Sequence, residues 1–292
     1  MRFGGHQSFH LRDQWLYKGI YWTNQSSEIL LNNKRYTEKA MQELGIGKNM
    51  VDSLRYWLKA TNLIKTNAKG FVLTDTARKI LEKDPYFELD GTLFLIHYLL
   101  VTNKEEATTW YWFFNHFSAS EFEKEPLTNA FYSYIQIKTD KKVRDSTLEK
   151  DLNCLLRMYQ AVEYTGKKNP ETETPSPFTK YGWIEKRGES FIRNKLNISD
   201  VNTHIFAHIL NIFWKNHLRK SESIKLEDLS QKENSPGRIF QFSLEEMNDL
   251  IELCSKQSNY LDYSRTGGYF IIQPNKTRLE KALDNYYKEM CV

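Results

Sequence analysis

The 292 residues carry 40% hydrophobic and 14% aromatic side chains, enough apolar mass for one large core or three small ones, which excludes an intrinsically disordered chain. The formal net charge of +4 suits a phosphate backbone as partner without establishing one. Cys154, Cys254 and Cys291 are too few and too dispersed for a disulfide framework or a paired-cysteine zinc site, and no apolar run approaches the ~20 residues of a bilayer span, so a cytoplasmic protein with reduced thiols and no membrane partner is expected.

The first stretch holds Phe3-Gly4-Gly5-His6-Gln7-Ser8-Phe9-His10-Leu11-Arg12, then Trp15, Leu16 and Ile20 at helical spacing. The glycine pair marks backbone that a side chain would obstruct. A short helix from Thr37 is expected to stop at Gly45 in a left-handed turn. A longer helix runs from Lys48 to about Thr61, with Met50, Val51, Leu54, Trp57 and Leu58 on an apolar stripe and Asn49, Asp52, Ser53, Arg55 and Lys59 opposite. Leu63-Ile64, a polar tip through Lys69-Gly70, and Phe71-Val72-Leu73 alternate as a hairpin, and Thr74 caps the next helix. This succession reads as a helix-turn-helix with a wing, whose common use is to place a helix in the DNA major groove. Lys48, Asn49, Ser53 and Arg55 would face DNA, with Lys69 on the wing.

Asp84-Pro85 breaks that pattern and opens a region of apolar helices, Gly91 to Val101 and Thr109 to Phe117, expected as a buried bundle. Another helix starts near Ser146. Residues 167–177 are rich in proline and polar side chains and make the best linker. Beyond them Tyr181-Gly182-Trp183-Ile184 repeats the wing-like pattern. Val201 to Leu218 is a long amphipathic helix, and a helix from Ser243 followed by a glycine-turned hairpin through Gly267-Gly268 suggests a second winged module. The expected fold is mainly α: winged helix-turn-helix modules flanking a central helical bundle, with small β-hairpins, divided as 1–83, 84–166 and 178–292.

The chemical motifs are mostly incomplete. Gly45-Ile46-Gly47-Lys48 imitates a phosphate loop, but Gln42 and Asn49 stand where glycine and a hydroxyl residue are required. Gly19-Ile20-Tyr21 is half of a nuclease signature whose second half is missing. Asp140-Lys141-Lys142 is the one carboxylate–lysine spacing of a two-metal nuclease, in a plainly polar stretch. His204 and His208 are spaced as metal ligands, yet Ile205 replaces a zinc protease's glutamate. The densest group of chemically useful side chains is His6, His10 and Arg12. Imidazoles can move protons and arginine can brace a phosphate, so these are the candidate catalytic residues, although such a cluster also makes an ordinary structural turn.

Phe3-Gly4-Gly5-His6, Leu44 to Val51 with Arg55-Tyr56-Trp57, Asp84-Pro85-Tyr86 with Gly91-Thr92-Leu93, Trp112-Phe113-Phe114, Asp151-Leu152-Asn153-Cys154 and Ser235-Pro236-Gly237-Arg238 together resemble a bacterial domain-of-unknown-function family. Its members sit beside sulfur-transfer genes in DNA phosphorothioation and phage-defence operons and include the SspB-type nickase component. The resemblance implies a protein that binds DNA and opens one strand for sulfur insertion, with Mg²⁺ or Mn²⁺ as cofactor if it nicks, and with sulfur-transfer and ATPase proteins as partners. Many members carry glutamate and threonine where this chain has Gln7 and Ser8, a departure that puts a metal-binding carboxylate at this spot in doubt. The rival expectation is a non-enzymatic DNA-binding scaffold that assembles those partners.

Overall fold

The computed structural model describes residues 1–31, 34–140, 142–161, 174–218 and 221–291. The chain divides into two compact units, Met1–Glu88 with Leu99–Asn194, and Leu89–Tyr98 with Lys195–Val292. It is mainly helical. The division differs from the three consecutive segments expected. A helix over Asp90–Val101 begins in the second unit and ends in the first.

The first unit opens with α1 (Trp15–Gln25), α2 (Lys34–Leu44), α3 (Lys48–Ala60), the hairpin β1 (Ile64–Asn67) and β2 (Gly70–Leu73), and α4 (Asp75–Lys83). Thr74 caps α4 by accepting from the Ala77 N–H. After α5 (Asp90–Val101) come α6 (Thr108–Asn115), β3 (Glu121–Glu123), α7 (Lys124–Lys138), α8 (Asp145–Tyr159), β4 (Ile184–Arg187) and β5 (Ser190–Arg193). The three strands form an antiparallel sheet in the order β3-β5-β4. Of this sheet only β3 was not expected, because it lies in the region read as a helical bundle, whereas the β4-β5 hairpin lies where the wing-like pattern was read.

The second unit contains α9 (Thr203–His217), β6 (Ile224–Lys225), α10 (Leu226–Gln231), α11 (Pro236–Phe240), α12 (Leu244–Ser258), β7 (Leu261–Thr266), β8 (Tyr269–Pro274), α13 (Lys276–Glu280) and α14 (Ala282–Met290). Its sheet runs β6-β8-β7. Ser243 and Glu246 close a capping box on α12. Gly91 donates its N–H to the Tyr286 hydroxyl at 3.1 Å, and an added Cβ there would lie 2.5 Å from that oxygen. That contact accounts for a glycine in an otherwise apolar helix.

One order of elements recurs three times: a helix, a short strand, further helices, then a two-strand hairpin. It is seen in α6-β3-α7-α8-β4-β5 and in α9-β6-α10-α11-α12-β7-β8, both with the first strand paired to the last. In α1-α2-α3-β1-β2 the segment after α1 takes the first strand's place, with the Phe71 N–H donating to the Ser27 carbonyl at 2.7 Å. A left-handed residue precedes each hairpin, Asn62, Gly182 and Asn259, followed by the buried pairs Leu63-Ile64, Trp183-Ile184 and Tyr260-Leu261. Each hairpin turns on two residues, because Asn67 pairs Gly70, Arg187 pairs Ser190 and Thr266 pairs Tyr269. Phenylalanine then takes the second position of each returning strand: Phe71, Phe191 and Phe270.

Of the segment expected as a linker, residues 167–173 lie outside the described residues. Its end is tied down, for the Asp13 N–H donates to the Pro175 carbonyl at 3.1 Å. Among the described residues no helix is long and apolar enough to cross a membrane.

Candidate nucleic-acid interface

Gly45 ends α2 at φ 65° and Gly47 begins α3 in extended geometry, φ −70° and ψ 163°. Gly47 offers no side chain to cap the first N–H groups of α3. Lys48 and Asn49 are exposed there, and on the hairpin Lys65 and Lys69 are exposed as well. Asn67 orders the tip by accepting the Lys69 N–H at 2.9 Å. Helix dipole, uncapped N–H groups and lysines together favour an anion here, against the exposed carboxylates of Glu38 and Glu43 on α2.

Two expected DNA contacts are not on it. Ser53 is fully buried, and Arg55 is 8% exposed. The Arg55 guanidinium donates to the Leu30 carbonyl, to the Leu31 carbonyl at 3.4 Å and to Asp52 at 2.6 Å. It therefore anchors the segment that follows α1. The physical reason is that α3 is covered on both sides: beyond its first turn Val51, Leu54, Tyr56, Trp57 and Leu58 are buried too. Pairing with Arg55 also neutralises Asp52, which otherwise weakens the local positive field.

The histidine cluster separates into two environments. His6 is fully buried and stacks on Trp57 at 6.2 Å, with the edges of Tyr56 and Trp110 at 5.9 and 5.8 Å. Its Nε2 bonds Asp151 Oδ1 at 2.8 Å, while Nδ1 is buried with no hydrogen-bond partner. Asp151 also accepts the Gly4 N–H at 2.9 Å and the Thr109 hydroxyl at 3.0 Å. Both carboxylate oxygens are thus engaged. A base closed off from solvent cannot reach a phosphodiester, so His6 acts as a structural pin rather than the catalyst expected. This pin joins three stretches that the sequence displays far apart, Phe3 to His6, Tyr56-Trp57 and Asp151 to Cys154.

Gly5 belongs to the same junction. A Cβ there would sit 2.4 Å from the buried Tyr56 ring and 2.8 Å from Arg2 Nε. Gly5→Ala is expected to lower stability by about 1–3 kcal/mol through overpacking, read as a shift of the urea midpoint. An unshifted midpoint would show that the ring gives way freely.

His10 is half-buried, and its Nε2–H donates to the Thr174 carbonyl at 2.9 Å. In that neutral tautomer Nδ1 keeps a lone pair. Burial pushes its pKa below the usual imidazole value and the Arg12 and Arg157 charges push the same way, against the carbonyl bond. Arg12 lies over the rings of Phe9 and Trp15 at 5.1 and 5.3 Å. The linkage follows from the lowered pKa. Below about pH 6.5 the unfolded chain takes up a proton that the folded chain refuses, so His10 costs stability as pH falls through that value and has no effect above it. Unfolding in urea at about pH 7.5 and 5.5 should therefore show a smaller acid loss in His10→Gln than in the parent chain. An equal loss in both would remove His10 from the linkage.

Among the described residues no group of three or more His, Cys, Asp or Glu side chains could hold a metal ion. His204, one of the helical pair, instead bonds the Tyr260 hydroxyl at 2.6 Å and Glu289 at 3.0 Å. Asp140-Lys141-Lys142 falls partly outside the described residues.

No curated protein matches the chain significantly. Among solved structures, a crystal structure of SspB and a magnesium-bound SspB structure each match with TM-score 0.86 and 24% identity, over 98% of this chain and 88% of that one. At that identity the likeness establishes a shared fold. The family profile described as "Protein of unknown function (DUF4007)" matches residues 3–287, and the chain belongs to that family.

Proposed function

We propose that this protein is a DNA-binding component of a phosphorothioation-linked defence system, and that it holds duplex DNA against the Gly47–Asn49 turn and the Lys65–Lys69 hairpin tip. The observation that carries the reading is the uncapped, lysine-bearing start of α3 in the first helix–hairpin module. On this reading that module is a winged helix-turn-helix that touches DNA with the first turn of α3 and the wing, because most of the rest of α3 is buried. Fold likeness to SspB supports the placement in a phosphorothioation system. Sulfur-transfer and ATPase proteins are the proposed partners, and the cytoplasm is the proposed compartment.

Strand nicking is the finer part of the proposal. His10, half-exposed and kept neutral, is the base with a free lone pair, and Arg12 is the cation on the same loop. The closed His6 box favours a second reading, a non-enzymatic scaffold. Incubation of the purified chain with supercoiled plasmid, with divalent metal or chelator, separates the two. Relaxed circles lost in His10→Ala support nicking. Plasmid retardation without relaxation supports the scaffold, and neither retardation nor relaxation overturns both.

A further inference from the structure

Aromatic side chains normally offset chain entropy by burial, yet one group in the first unit stays at the surface. Tyr86 is 57% and Tyr21 38% exposed. Tyr17, one helical turn before Tyr21 on α1, lies 5.8 Å from the Tyr21 ring and 4.7 Å from the Tyr86 ring, centroid to centroid. Tyr21 meets the edge of Trp22 at 5.5 Å.

The turn that presents Tyr86 is built at a conformational cost. Phe87 has φ 59°, a region that bulky side chains rarely occupy. Buried Asp84 holds the turn, its carbonyl accepting the Phe87 N–H at 3.1 Å and its carboxylate the Glu88 N–H at 2.9 Å. Phe87 is buried beneath, so the strain keeps one ring in and the next one out. Lys18, between the two α1 tyrosines, donates to the Leu44 carbonyl at 3.4 Å. The tyrosines therefore share a helix with a lysine that reaches the residue just before the Gly45–Lys48 turn.

We propose that Tyr17, Tyr21 and Tyr86 form a stacking platform for an unpaired nucleobase of single-stranded DNA. The proposal rests on the DNA-binding reading above and adds a second substrate state, a displaced strand beside the held duplex. Stacking on aromatic faces tolerates any base. Glu82 and Glu88 flank the turn, which favours a single stacked base over a long phosphate track.

The test uses the full chain with a fluorescent oligothymidylate and, separately, a duplex of the same length. Tyr86→Ala is expected to weaken single-strand binding roughly ten-fold, leave duplex binding unchanged, and be rescued by Tyr86→Trp. Because Tyr86 is exposed, its loss leaves the core intact, and an unchanged urea midpoint checks this. Unchanged single-strand affinity with intact duplex binding overturns the platform and leaves the DNA reading standing. Equal loss of both makes Tyr86 a duplex contact and also overturns it. If the parent chain binds neither nucleic acid, both proposals fall.

Discussion

Asp151→Ala is expected to destabilise the protein by about 3–5 kcal/mol, a large fraction of the 5–15 kcal/mol that a typical domain possesses. The carboxylate and His6 are 2% and 1% exposed. Removing Asp151 strands three donors at once, His6 Nε2–H, the Gly4 N–H and the Thr109 hydroxyl, and water cannot readily replace the lost acceptor. Thr109→Val, which deletes one donor, should cost about 1–2 kcal/mol by the same logic. A His6→Ala and Asp151→Ala double-mutant cycle should show coupling of about 0.5–3 kcal/mol. The measurement is the urea midpoint at neutral pH, and a loss below about 1 kcal/mol in Asp151→Ala would refute the pin.

Gly47→Asp is expected to separate stability from DNA binding. Gly47 has an extended backbone that any residue adopts, and a Cβ there meets no atom within 4 Å. An aspartate at this N-cap accepts the free N–H groups of α3 and complements its dipole, so stability should hold or rise by a few tenths of a kcal/mol. The same carboxylate would face the DNA phosphates and weaken duplex binding strongly. Lys48→Gln and Lys69→Gln should act more mildly, each flattening the plot of log K against log salt by about 0.9. Arg55→Gln provides the contrast: it should cost stability through the Leu30 and Leu31 carbonyls, with no change in salt slope in the folded fraction. A thermal melt and a salt titration read both quantities, and full duplex affinity in Gly47→Asp would contradict the placement.

Much of this architecture was legible from residues. The left-handed Gly45, the start of α3, the hairpin after Leu63-Ile64, the Thr74 cap and the hairpins after Trp183 and Tyr260 all follow from turn chemistry and periodicity, which act over a few residues. Burial of both faces of α3 was not legible. Ser53 and Arg55 read as polar, and only the tertiary cover from the preceding segment turns Arg55 inward. Strands β3 and β6 are three and two residues long, too short for any period to show. The hairpin part of the threefold recurrence was legible as repeated wing-like patterns, but its full order of elements was not, because the shared signal is three residues wide, a left-handed position and two buried ones, separated by long stretches of unlike helix. The burial of His6 was not legible either. A histidine beside glycines looks catalytic in sequence, and its carboxylate partner, Asp151, is 145 residues away.

Hydrogen–deuterium exchange with and without a duplex tests the central claim most directly. DNA should slow exchange at 45–50 and 65–70, with the remainder of α3 unchanged because it is already buried. Protection spread along 51–60, or absent from both segments while DNA is bound, would contradict the account.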